Sequence, residues 1–271
     1  MGTDIYVAGF ENNGTADVAK VWKNGVATAL TNGTYDADAR SVFVSGIDVY
    51  VAGFESNGTK KIAKVWKNGV ATSLTGSTVD AEARSVFVVG PDVYAAGYEN
   101  NSTLLNPKPD IAKVWKNGVG TSLITGPNTG QAWSVYVSGT DVYVGGFEYA
   151  GVANIAKLWK NGVATSLTAG ATPASVNSVF VSGTDVYIAG FESNGTTYFA
   201  KVWKNGVATS LSNSANSAFA SSVYVFGNDV YVAGSEKAPN IGYAPKVWKN
   251  GVATSLLNNA YNAYARSVFV K

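Results

Sequence analysis

The chain has 271 residues, 46% hydrophobic and 14% charged, with a formal net charge of +2. That is ample for a packed core and too apolar for disorder. Cysteine and histidine are both absent, which excludes disulfides, thiolate or imidazole metal sites, an imidazole general base and any Ser–His–Asp triad.

Residues 39–75, ARSVFVSGIDVYVAGFESNGTKKIAKVWKNGVATSLT, show the elements in order. SVFV predicts a first strand, a. A tight turn with Gly46 and Asp48 leads into DVYVAGFE, strand b, whose alternation and β-branched and aromatic residues suit a half-buried sheet. A polar loop follows, then IAKVWK, strand c. Asn68-Gly69 predicts a two-residue hairpin of the primed type, because both residues tolerate positive φ. VATSL is strand d. Nothing in the unit has helical periodicity.

The unit recurs. KVWKNG stands at 20–25, 64–69, 113–118, 201–206 and 246–251, and KLWKNG at 157–162, so the tryptophans are spaced 44, 49, 44, 44 and 45 residues apart. Four antiparallel strands in about 45 residues is the size of a propeller blade. The reading is an all-β, six-bladed β-propeller forming a single domain over 1–271. Its first blade combines residues 1–30 with 267–271, the C-terminal RSVFVK supplying the missing strand a and closing the ring. Lys20 and its counterparts are expected to lie along the tryptophan and reach Glu11 and its counterparts on strand b. DVYVAGFE, and the Arg-Ser before strand a, resemble the kelch repeat, a resemblance that implies the same blade fold. Phe10 and its counterparts stand where kelch blades carry a second glycine.

Charge is distributed by repeat. Lys20, Lys23, Asp4 and Glu11 each occur six times, once per repeat, giving twelve lysines against six aspartates and six glutamates. A scaffold that neutralises itself has no basic stripe, so nucleic acid is not an expected partner. No apolar run reaches membrane length, and MGTDIYVAGF lacks the basic and apolar regions of a signal peptide. The composition fits an exported bacterial protein. A monomer without cofactor is expected. The turn aspartates are read as turn formers rather than calcium ligands, Glu11 and its counterparts as ion-pair partners rather than repeated sugar sites, and the four NGT triplets as turns rather than glycosylation acceptors.

The a–b and c–d turns are nearly constant, whereas the d–a and b–c loops vary. From the strand-d leucine to the residue opening strand a there are always ten positions, as from Leu30 to Arg40 and from Leu256 to Arg266. Fixed length with varied side chains suggests a binding face on a rigid frame. The third b–c loop, 100–110, is longer by five and stiffened by Pro107 and Pro109. The residues opening strand a are Arg266, Arg40, Arg84, Trp133, Asn177 and Ser221, and ring closure makes the three arginines one arc at the channel mouth. Two positions upstream come Tyr264, Asp38, Glu82, Gln131, Ser175 and Phe219, with Tyr35, Asp36, Asp80 and Tyr261 nearby.

Three functions are open. The first is a non-catalytic, lectin-like binding module for an acidic saccharide, a peptide or a small anion, because Arg presents a fork to carboxylates and Tyr and Trp offer flat faces. Its candidate ligand residues are Arg40, Arg84, Arg266, Trp133, Asn177, Asp38, Glu82, Tyr264 and Tyr35. The second is a recently amplified or engineered scaffold in which Arg40 pairs with Asp38 or Asp36, and Arg84 with Glu82 or Asp80, as rim ion pairs. The third is a glycosidase. An arginine trio with acids and tyrosines on six blades resembles sialidases, which implies a tyrosine nucleophile; their Ser-x-Asp-x-Gly-x-Thr-Trp box does not occur in this chain.

Overall fold

The computed structural model describes residues 4–100, 110–213, 215–238, 242–256 and 262–270, and every regular element in them is a strand. The strands are β1 (Tyr6–Asn12), β2 (Asp17–Lys23) and β3 (Val26–Ala29); β4 (Ala37–Ser45), β5 (Asp48–Ser56), β6 (Lys61–Lys67) and β7 (Val70–Ser73); β8 (Asp80–Val89), β9 (Asp92–Asn100), β10 (Asp110–Lys116) and β11 (Val119–Ser122); β12 (Thr129–Ser138), β13 (Asp141–Tyr149), β14 (Asn154–Lys160) and β15 (Val163–Ser166); β16 (Ala174–Ser182), β17 (Asp185–Ser193), β18 (Tyr198–Lys204) and β19 (Val207–Ser210); and β20 (Ala218–Phe226), β21 (Asp229–Ala238), β22 (Gly242–Lys249) and β23 (Val252–Ser255). Each group is one sheet with neighbours in sequence order; the first has three strands and the others four. The chain forms two compact units, Met1–Val137 and Ser138–Lys271, with the boundary inside β12.

The repeated residues build the frame of each sheet. Asn68 takes φ 51° and Gly69 φ 83° in the hairpin between β6 and β7. The Asn68 side chain accepts from Val49 N–H at 2.9 Å and its own N–H donates to Val49 O at 2.9 Å, so the turn extends the ladder by one pair. The turn aspartates do not simply bond their own backbone: Asp48 accepts from Asn68 Nδ2 at 2.7 Å and from Lys67 Nζ at 2.8 Å. Each such aspartate thereby ties the a–b turn to the c–d turn. All twelve repeated lysines are paired: the six inner ones with strand-b glutamates, as expected (Lys64–Glu55, 2.6 Å; Lys157–Glu148, 2.8 Å), and the six outer ones with turn aspartates, a pairing the sequence reading did not include.

Neighbouring sheets of one unit pack face to face on the tryptophans. In the first unit Trp66 and Val51 lie on Ala19 and Leu30, and Trp115 on Tyr50, Ala63 and Val65; in the second, Trp248 lies on Tyr187, Ala200 and Leu211. The alanines matter because a large indole needs a shallow facing surface to close-pack. Successive strands a lie side by side. Ser41 Oγ accepts from Val86 N–H at 3.2 Å, and Ser85 Oγ from Val135 N–H at 3.2 Å. Phe43, Phe87 and Tyr136 form a ring column at 4.7 Å intervals. In the second unit Ser178, Ser222 and residues 268–269 repeat this pattern: Val268 N–H donates to Ser222 Oγ at 3.3 Å and Phe269 meets Tyr224 at 4.9 Å. The C-terminal segment therefore occupies a strand-a position beside β20, although no ladder is formed there among the described residues.

The asparagines of the described NGT triplets are turn builders. Asn13 Oδ1 accepts from Thr15 and Ala16 N–H while its Nδ2 donates to Gly33 O, and Asn57 does the same with Ser77 O.

Candidate functional site

The variable residues nearest to SVFV are not in a loop, although those before them, such as Tyr35 and Asp36, are. Strands β4, β8, β12, β16 and β20 begin three or more residues earlier than SVFV suggests, and the side chains nearest to SVFV sit inside them. The cause is a β-bulge. Pairing shifts between Ala39 and Ser41, Ala83 and Ser85, Val176 and Ser178, and Ala220 and Ser222, which leaves Arg40, Arg84, Asn177 and Ser221 unpaired in the ladder. A bulge turns its extra side chain away from the regular alternation and is favoured beside binding sites. The glycine of strand b makes it possible. A Cβ on Gly53, Gly97, Gly190 or Gly234 would fall 1.9–2.1 Å from the carbonyl oxygen of Asp38, Glu82, Ser175 or Phe219.

In the first unit the bulged arginines meet acids. Arg40 Nε lies 3.0 Å from Asp38 Oδ2, and Arg84 Nη2 lies 2.9 Å from Glu82 Oε2. Lys61, from the preceding sheet, reaches Glu82 Oε1 at 2.7 Å, and Arg40 stands 3.8 Å from the same carboxylate. Glu82 is only 2% exposed. The guanidinium of Arg84 lies over Trp133 at 4.3 Å and Tyr98 at 5.5 Å; Lys61 lies over Phe54 at 4.5 Å. Burial is the largest influence on Glu82 and would raise its pKa, but Arg84, Lys61 and Arg40 outweigh it and hold it below the ordinary value. Burial pushes Asp38 up, against Arg40. Burial and the nearby Glu82 push the Tyr98 phenol up to about 12. The cluster is thus a knot of three cations and two carboxylates, within which Glu82 Oε2 and Arg84 Nε are buried without a hydrogen-bond partner. Lys60 pairs with Asp80 at 2.8 Å beside it. Asp36 accepts from Asp17 N–H at 3.0 Å, and the half-exposed Tyr35 ring covers Gly58.

The second unit carries aromatic rings at the same positions. Phe219 stands where Asp38 and Glu82 stand, and Tyr198 and Tyr243 where Lys61 stands. Phe191 meets Phe219 at 5.0 Å, Phe219 meets Tyr198 at 5.1 Å and Tyr243 at 5.9 Å, and Tyr243 meets Tyr264 at 5.4 Å. Arg266 lies over Tyr264 at 5.1 Å. Tyr264 is 44% exposed. Asn177 donates to Ala220 O at 2.8 Å, binding one bulge to the next. The predicted neighbour Tyr261 and the stiffened loop with Pro107 and Pro109 lie outside the described residues.

No protein-family profile matches the chain, and no curated protein does. Solved structures do. An acylaminoacyl peptidase of Pyrococcus horikoshii superposes with a TM-score of 0.57 at 10% identity, over 93% of this chain and 43% of the peptidase chain. A hydrazine synthase of Kuenenia stuttgartiensis superposes with a TM-score of 0.56 at 10% identity, over 94% of this chain and 45% of its own. The chain therefore spans less than half the length of either. Both likenesses are to propeller proteins and speak for the fold, six blade-like sheets, alone.

Of the sequence-predicted residues, the structure joins Arg40, Asp38, Glu82, Arg84 and Trp133 into one cluster in the first unit, and Arg266 with Tyr264 in the second. Tyr35 and Asn177 are committed to a turn glycine and a backbone carbonyl. Sequence reasoning missed Lys61, Tyr98, Phe191, Tyr198 and Tyr243, which come from strands b and c. It also missed Lys237. The signal available for Lys237 was its mismatch with Ser56, Asn100, Tyr149 and Ser193 at the corresponding positions.

Proposed function

We propose that this chain is a non-catalytic binding propeller whose ligand is held on the variable-loop side, by side chains that the strand-a bulges present. The observation that carries the reading is the bulge itself: a backbone device shared by four sheets, sustained by a glycine, presents Arg40, Arg84, Asn177 and Ser221 at one equivalent position. An acidic saccharide is the favoured ligand class. Binding of the labelled protein to a glycan array with sialylated and uronic-acid sugars tests it, alongside Arg40/Arg84/Arg266→Ala. Binding that disappears in the variant supports the reading; binding unaffected by it moves the site elsewhere, and a blank array removes sugars as ligands.

A scaffold without ligand is the second reading, favoured by one observation. Variable residues facing each other between neighbouring sheets are chemically matched: Lys61 with Glu82, Asp110 with Gln131, Tyr198 with Phe219, Tyr243 with Tyr264. Matched neighbours are what selection for packing alone would leave.

Ring closure is a separate proposal, on which the binding reading does not depend. Residues 265–270, ARSVFV, are identical to 39–44 and 83–88. Their counterparts pair Val42 with Val51 and Phe43 with Tyr50, so Val268 would face Val7 and Phe269 would face Tyr6 on β1. Val7 is 51% exposed where Val51 is 1%. A Cβ on Gly9 meets Trp22 alone, at 3.3 Å. Closure would bring a bulged carbonyl over Gly9. Gly9→Ala should then cost as much as the same change at Gly97, measured by urea unfolding; a near-neutral Gly9→Ala would mean that β1 remains an edge.

A further inference from the structure

Nearly every cation with a described environment is spoken for. The repeated lysines face glutamates or turn aspartates, Lys60 and Lys61 face Asp80 and Glu82, and Arg40 and Arg84 face Asp38 and Glu82. Among the described residues, two cations have no carboxylate within 4 Å: Lys237 and Arg266. Both belong to the second unit, and both flank the same pair of rings. Lys237 on β21 lies directly opposite Tyr243 on β22, where facing side chains share one side of the sheet about 5 Å apart. Tyr243 meets Tyr264 at 5.4 Å with ring planes inclined by 30°, and Arg266 lies over Tyr264 at 5.1 Å. Lys237, Tyr264 and Arg266 are exposed. Phe219, Tyr198 and Phe191 continue the row beyond Tyr243.

From this arrangement we infer that the second unit holds a subsite for a carboxylate-bearing sugar ring, a hexuronate within an oligosaccharide. This rests on the loop-side binding reading and names its ligand. The Tyr243–Tyr264 pair supplies aromatic faces for the C–H face of a pyranose, and its phenols can exchange hydrogen bonds with ring hydroxyls. Arg266 offers a planar fork to the carboxylate, while Lys237 bounds the other end as a point charge. The remaining rings extend the surface for adjoining sugars. The first unit contributes no comparable subsite. Its arginines are held by Asp38 and Glu82, and a ligand carboxylate would have to displace a buried one.

Calorimetric titration of the full chain with trigalacturonate, with the neutral galactose trimer and with a short poly-glutamate peptide tests the inference. The variants are Arg266→Gln, Lys237→Gln and Tyr264→Ala, all at exposed positions, with Lys204→Gln as a charge-matched control on the constant turns. Trigalacturonate should bind and weaken with added salt. Arg266→Gln should raise its Kd about tenfold or more, Tyr264→Ala should weaken it, and Lys204→Gln should leave it unchanged. Equal loss in Lys204→Gln would reduce the effect to overall charge and overturn the site. Equal affinity for the neutral trimer would overturn the role of Arg266, and equal affinity for poly-glutamate would overturn the sugar assignment. Absence of trigalacturonate binding would overturn the subsite, while binding to a different glycan on the array would leave the broader reading standing.

Discussion

Gly97→Ala should cost about 4 kcal/mol or more, the range reached when a core substitution admits no local relief. The added Cβ would sit 1.9 Å from Glu82 O and 3.1 Å from Ala83 Cα. Both obstacles are backbone, so no side-chain rotation removes the clash. The bulge must open or β8 must separate from β9. Opening it would restore regular alternation from residue 84 backward, and the Glu82 and Arg84 side chains would leave their partners. Urea unfolding followed by circular dichroism measures the loss. A loss below about 1 kcal/mol would mean that the bulge is not held by glycine.

The second large effect belongs to Glu82. Glu82→Gln should cost about 3 kcal/mol, because a buried ion pair broken on one side leaves its partners uncompensated. Arg84 and Lys61 would both lose a carboxylate oxygen within 3 Å, and Arg84 is largely enclosed. The pH dependence has a definite sign. The folded pKa of Glu82 lies below its ordinary value of 4.5, so its contribution is complete above that value and is lost as pH falls through the folded pKa. The variant should therefore lose less stability than the parent on acidification below about pH 4.5. Asp38 works in the opposite direction. Burial raises its pKa, so protonation relieves a cost as the solution is acidified. Chemical denaturation at pH 7 and pH 3.5 separates the two. Parallel losses in parent and variant would show that Glu82 is not the group that titrates.

These effects show which features are visible in sequence and which are not. Strands b, c and d, the Asn-Gly hairpins and the Glu–Lys pairs were legible because each depends on residues within about twenty positions that repeat six times. The Glu11–Lys20 type of pair is set by one ladder register and follows from alternation alone. The bulge was not legible. It needs one strand to carry an extra residue against a glycine on the next, and neither residue type announces it. The fate of the arginines was only half legible. Asp38 and Glu82 are near in sequence, but Lys61 reaches Glu82 from the previous sheet, 21 residues away. The aromatic row was hidden for the same reason, since Phe219 and Tyr264 meet rings from strand c of the sheet before. Lys237 was discoverable by charge accounting, as a cation with no repeat partner.

The complete pairing of the repeated lysines has a consequence for how such a chain can change in length. Each repeat carries two lysines that close on one glutamate and one aspartate of the same repeat. Recombination that inserts or deletes a whole repeat would therefore change the net charge only through that repeat's variable residues, such as Arg40, Lys60 and Lys61. The isoelectric point would track only those variable residues. A lineage could vary its copy number without the colloidal penalty that charged arrays accumulate, and the titration curve of the whole protein would remain a signature of its loops.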